Sequence, residues 1–272
     1  MIENIHNWVM YKIVSKNTAF SLDEDTRRYY LDVMGIQCWQ LRNADDRPVE
    51  DRLAEGKLAE ERPGAEQGSP AKNNRDVTSA DVITADNNWL LLETTVQRCE
   101  KCQLCVTRKQ AIVGRGNQSA ELMFVLLAPS SGDDETGRIC SGEDNDLFSK
   151  MLAAINVDIA DVYITSLLKC SVPARHTVSA KEVNQCLAYL KQQIQLVQPK
   201  LLIVLGETTI RCLLQKNMSL DHFRAMNTKS PFQIDSVPVF VSYSPQELLR
   251  QAEHKRKAWT DLQQLEKMFT TR

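Results

Sequence analysis

Residues 89–272 of this 272-residue chain are predicted to form an α/β domain with a central parallel sheet, and three observations predict it. Short β-rich apolar runs recur at 122–127, 162–165, 201–205 and 237–241. Each is continuously apolar instead of alternating, as strands covered on both faces are. Helical patterns lie between the runs, and strands that alternate with helices make a parallel sheet joined by right-handed crossovers.

Taken in order, the helical patterns fall at 146–155, 179–197, 207–215 and 246–269. The second carries its own start signal, since Ser179 is placed as N-cap and Glu182, three residues on, completes a capping box. Upstream, 43–88 is rich in Asp, Glu, Arg, Ala, Gly, Asn and Pro with few large aliphatics, and reads as a disordered linker that buries too little surface to offset its ordering entropy. A short helix at 49–61 is compatible with Leu53 and Leu58 but would be solvated and marginal. Residues 1–42 form a separate N-terminal segment, in which 8–14 has no assigned role.

A composition of 43% hydrophobic and 25% charged residues is ordinary for a soluble, core-forming protein, and a net charge of −2 carries no whole-chain signal for nucleic acid. No apolar run approaches the roughly 20 residues that span a bilayer, so no membrane partner is expected. No basic start followed by a long apolar run marks an export signal, so a cytoplasmic location is expected, where thiols stay reduced.

Eight cysteines are present. The pattern Cys99-x-x-Cys102, followed far downstream by Cys170 and Cys186, supplies four thiolates able to enclose a metal site. Zinc ribbons use two close pairs, whereas one close pair and two distant singles suit a four-cysteine iron–sulfur site assembled by tertiary folding. Spacing alone leaves iron–sulfur, zinc and scattered buried cysteines as alternatives.

The run Cys99-x-x-Cys102-x-Leu104, an arginine at Arg108, the turn Val113-Gly114-Arg115-Gly116-Asn117 and an apolar strand together resemble the opening of the family 4 iron–sulfur uracil-DNA glycosylases. The match continues through 162–165, Lys169 and Cys170, Glu182 to Leu190, Gln193, Pro199, Gly206, and Leu248 to Leu262. The resemblance implies a three-layer α/β/α domain and a [4Fe–4S] cluster on Cys99, Cys102, Cys170 and Cys186. At the base-contacting positions the chain departs from that family. The G-E-A-P-G glutamate is Leu127, the base-stacking phenylalanine is Cys140, the asparagine that reads the uracil edge is Ser166, and the histidine of H-P-S is Ser244. A thiol has no π-face, and a glycosylase must hold a flipped base by stacking and edge hydrogen bonds. These changes predict a degenerate, non-catalytic pocket. Asp133, Asp134 and Glu135 beside the pocket could activate water but read as a solvated acidic loop, and His176 could approach phosphate or a ligand but reads as a surface residue. His222 and His254 have no assigned role. The basic run from Arg250 to Lys257 either meets a phosphate backbone or is a charged outer helix face.

The N-terminal segment 29–42 is dense in aromatics and aliphatics yet tethered by the linker. Tyr30, Val33 and Met34 stand at helical spacing before Gly35. The segment resembles the N-terminal peptide of the psi subunit of bacterial DNA polymerase III, which implies clamp-loader docking through Tyr29, Tyr30, Leu31, Met34, Ile36, Trp39, Leu41 and Arg42. The combined expectation is a non-catalytic, psi-like replication subunit linking the clamp loader to a chi-like partner and, through it, to single-strand-binding protein, with weak single-stranded DNA contact. The alternatives are an iron–sulfur uracil-DNA glycosylase of base excision repair, and a redox sensor.

Overall fold

A computed structural model describes residues 85–227 and 232–270 together with Arg28, Leu31, Asp32 and Gly35. The chain divides into two units, residues 1–38 with 84–272 and residues 39–83, and every described residue belongs to the first.

Six strands form one sheet: β1 (Gly114–Gly116), β2 (Leu122–Leu126), β3 (Tyr163–Ser166), β4 (Leu201–Leu205), β5 (Phe232–Ile234) and β6 (Val237–Ser242), in the order β1-β3-β2-β4-β6-β5. The central four are mutually parallel, and β1 and β5 cap the two edges antiparallel. The parallel core falls on the four apolar runs because helices cover both faces: every residue of β3 and β4 is buried. β1 adheres through its glycines. A Cβ at Gly116 would run into the Val162 carbonyl oxygen, and one at Gly114 would stand 2.7 Å from the Tyr163 hydroxyl.

From residue 85 onward the described helices are α1 (Ala85–Gln97), α2 (Leu104–Thr107), α3 (Ser131–Thr136), α4 (Gly142–Ala153), α5 (Ala180–Val197), α6 (Glu207–Leu214), α7 (Leu220–Ala225), α8 (Pro245–Arg250) and α9 (Lys255–Thr270). α5 starts as its sequence requires, with Ser179 and Glu182 closing a reciprocal capping box. Val183, Cys186, Leu190, Ile194 and Val197 form its buried stripe. Inside, Lys169 is 1% exposed, and its ammonium donates to Thr165 Oγ1 (2.7 Å), the Ser166 carbonyl (2.6 Å) and Gln193 Oε1 (2.5 Å). Gln193 in turn donates to the Val113 carbonyl and the Tyr163 hydroxyl, at 2.8 and 3.0 Å, tying α5 to the sheet edge.

Three expectations are corrected. Helix α1 begins at Ala85, inside the stretch read as linker, and buries Trp89, Leu92 and Val96; Trp89 packs on Tyr163 with ring centroids 5.6 Å apart. The pattern at 246–269 is not one helix. Gln251 leaves helical geometry (φ −132°, ψ 83°), a 3-10 turn Ala252–His254 follows, and α9 restarts to bury Ala258, Leu262 and Leu265. Leu31, expected to face a partner, is 6% exposed within the domain's own apolar core, because burial there already satisfies its side chain. Tyr29, Tyr30, Met34, Ile36, Trp39, Leu41 and Arg42, and the proposed helix at 49–61, lie outside the described residues.

Candidate active site

Parallel strands bind ligands beyond their carboxyl ends, where loops diverge into the following helices. Here the ends of β2, β4 and β6 open into a cleft of about 220 Å³. Leu126, Leu127 and Ala128 line it from β2, Leu205 and Gly206 from β4, and Ser244 to Glu247 with Arg250 from the turn into α8. Ser130, Asp133, Cys140 and Asp144 close the side formed by α3 and α4.

Of the four positions read as a degenerate pocket, the fold brings Leu127, Cys140 and Ser244 together in this cleft. Ser166 pairs with Leu126 across the β2–β3 register but does not line the cleft. It is fully buried and its hydroxyl donates to the Leu168 carbonyl at 2.7 Å. Cys140 sits in left-handed backbone (φ 55°). Arg115 donates to the carbonyls of Ile139 and Cys140 and to Asn145 Oδ1, at 2.8, 3.1 and 2.6 Å, which braces this turn. Burial, aided by the Asp144 charge, pushes the Cys140 thiol up to about 12, so it is no thiolate nucleophile. The Ser244 hydroxyl accepts the Glu247 N–H at 3.2 Å and is committed to capping α8.

The acidic loop is corrected as well: Asp133 and Asp134 are 2% and 6% exposed on a short helix. Asp133 accepts from the Ser130 and Ser141 N–H groups and the Ser141 hydroxyl, at 3.0, 2.7 and 2.6 Å. Asp134 accepts from the N–H groups of Lys109 (2.9 Å) and Gln110 (3.0 Å) and from Ser171 Oγ (3.0 Å). Burial alone would raise the Asp134 pKa, but these donors hold it below the usual range. Asp144 and Glu247 belong to the cleft and were not anticipated; the Ser-x-x-acid spacing that precedes each was the available signal. His176 is no idle surface residue, since its Nε2 meets the Glu182 carboxylate at 2.8 and 3.0 Å. In the basic run, Lys257 pairs with Asp221 at 2.7 Å and His254 stacks on Tyr243, whereas Arg250 reaches the cleft rim.

The four predicted ligand cysteines are free thiols contributed by three parts of the chain. Cys170 and Cys186 are buried with Leu104 in a small apolar cluster against which Cys102 packs. Cys186 feels the charges of both Cys102 and Cys99, so the four face one region. Among the described residues no three His, Cys, Asp or Glu side chains are grouped to hold a metal ion. Burial pushes the Cys170 thiol up to about 11 and raises that of Cys186, while Arg108 opposes the first and Lys169 the second. The Arg108 guanidinium donates to Cys170 Sγ at 2.9 Å and to the Cys99 carbonyl at 2.8 Å. Two buried and two half-buried sulfur donors, with the Arg108 guanidinium on Cys170, form a donor set suited to an electron-poor group that keeps all four as thiolates.

The Type-4 uracil-DNA glycosylase of Pyrobaculum aerophilum is 36% identical over 124 residues, covering 46% of this chain and 63% of that protein. That of Saccharolobus solfataricus is 34% identical over 137 residues (50% and 63%), and that of Archaeoglobus fulgidus 36% over 111 residues (41% and 56%). The chain therefore spans less than two thirds of the length of these relatives. Because they are named as enzymes, the expectation of a non-catalytic, psi-like replication subunit is overturned. Substitutions read one at a time do not measure what a whole cleft retains. A family model described as the Uracil DNA glycosylase superfamily matches residues 113–263, more than half of the chain and every strand of the sheet. With the cleft at the carboxyl ends of those strands, the chain belongs to the uracil-DNA glycosylase superfamily.

Proposed function

We propose that the chain is a uracil-DNA glycosylase of base excision repair, which hydrolyses the bond between uracil and deoxyribose. The likeness to three Type-4 uracil-DNA glycosylases at 34–36% identity carries this reading. A cleft beyond the parallel strands admits one flipped base, which Leu126 and Leu127 would meet with apolar surface and Arg250 would approach from the rim, where phosphate lies. Cys140 offers no aromatic face, so the base is held by apolar contact and by backbone groups around Ala128 and Gly206.

Cys99, Cys102, Cys170 and Cys186 would hold a [4Fe–4S] cluster. When bound, the cluster supplies a covalent cross-link among the segment before α2, the loop after β3, and α5. Arg108 and Lys169 offset thiolate charge.

An oligonucleotide carrying a single uracil tests the activity. Incubation with the full chain followed by alkali should cut the strand at the uracil, and the thymine control should stay intact. Persistence of uracil-containing single- and double-stranded DNA with excess protein overturns the reading.

A further inference from the structure

Four helices begin with a serine followed three residues later by an acid: Ser130 and Asp133, Ser141 and Asp144, Ser179 and Glu182, Ser244 and Glu247. Three of these pairs close reciprocal capping boxes. The pair at α4 does not, for Ser141 makes no side-chain cap. Its N–H and hydroxyl both go to Asp133 Oδ1, at 2.7 and 2.6 Å. Asp144 is thereby released from the capping role its sequence position would give it.

The release matters because of where Asp144 stands. Three carboxylates line the cleft: Asp133, Asp144 and Glu247. Asp133 is occupied by the Ser130 and Ser141 donors. Glu247 accepts the N–H groups of Glu207 and Ser244, both at 3.0 Å. No described protein group donates a hydrogen bond to Asp144. The charged and titratable groups facing it are Asp133 from α3, Glu143 on its own helix, Arg250 from α8, and the Cys140 thiol.

Resting on the glycosylase reading above, we infer that Asp144 is the catalytic carboxylate of this cleft, steadying positive charge on the deoxyribose and receiving the proton of the attacking water. The C1′–N1 bond breaks with its electron pair leaving on the base. The water oxygen bonds to C1′, one water proton passes to Asp144, and that proton then goes to the departing base or to solvent. No oxidant or reductant enters. Burial, then the Asp133 charge, raises the Asp144 pKa against the opposing pull of Arg250, which makes the carboxylate a better proton acceptor.

Single-turnover excision from uracil-containing single-stranded DNA by the full chain tests this. Asp144→Asn should slow excision by about 100-fold or more, as loss of a general base does, without weakening DNA binding. Wild-type rates should fall as pH drops through the raised Asp144 pKa, and this acid limb should vanish in Asp144→Asn. Glu143→Gln, one position away and exposed, should keep the rate and retain the limb, displaced toward lower pH because one charge that raises the Asp144 pKa is gone. An Asp144→Asn protein with the wild-type rate and limb refutes the inference and leaves the glycosylase reading standing; a wild-type protein that excises nothing removes both. If Asp144→Asn does not fold, Asp144→Glu decides: its acid limb must move, and an unmoved limb refutes the assignment.

Discussion

Arg224 and Asp261 show how strongly single side chains are committed in this domain. The guanidinium meets the carboxylate twice, at 2.7 and 2.8 Å, Ser242 Oγ donates to the same carboxylate at 2.7 Å, and the Asp261 side chain is 2% exposed. Burial keeps the Asp261 carboxyl above its ordinary value despite the guanidinium. Removing the cation leaves an uncompensated buried charge, so Arg224→Ala should lower unfolding stability by about 3 kcal/mol in a urea titration. Adding Asp261→Asn should restore part of that loss. At the same scale, Leu127, Cys140 and Ser244 were legible as positions of one pocket, but reading them as a lost activity was not sound. Residue identity tells which groups are gone; it does not tell which neighbouring group, such as Asp144, stands free in the same space.

Elements were legible in proportion to how many side chains declare them. β2, β4 and β6 are continuous apolar runs because both faces are covered, and β4 occupies Leu201–Leu205 as the run predicts. β1 and β5 are three residues each, held at the sheet edges by backbone pairing, and three residues are too few for a periodic signal. The capping box of α5 was readable because serine, glutamate and an apolar stripe all agree. Ser179→Ala should cost about 1 kcal/mol of stability, read as a lower thermal midpoint, since the Glu182 N–H loses its side-chain acceptor. The same motif misleads at α4, where Asp133 from another helix captures the donors of Ser141.

Across the whole molecule, the cysteine site joins pieces that are remote in sequence. Asp134 works beside it, gathering Lys109, Gln110 and Ser171 from the two loops that flank Cys102 and Cys170. Protein purified anaerobically should be brown with about four irons per chain, as cysteine-ligated [4Fe–4S] centres are. Cys170→Ala or Cys186→Ala should bleach that colour and lower the melting temperature. Stoichiometric zinc without iron in iron-replete preparations would rule the cluster out. Leu31 belongs to this scale too, because an apolar residue far from the domain in sequence completes the domain's own core.

What the sequence determined by itself is the alternation of strand and helix, the capped start of α5 and the spacing of Cys99, Cys102, Cys170 and Cys186. Each is encoded locally or by residue type: burial on two faces makes a strand continuously apolar, and thiolate chemistry needs cysteine. Only the tertiary structure decided that Ser166 is buried off the cleft lining that Leu127, Cys140 and Ser244 share, that Asp133 and Asp134 are buried acceptors, and that Asp144 enters the cleft without a capping partner. Those outcomes depend on which donor reaches which carboxylate first across elements far apart in the chain, and hydrogen-bond competition of that kind leaves no periodic trace in the order of residues.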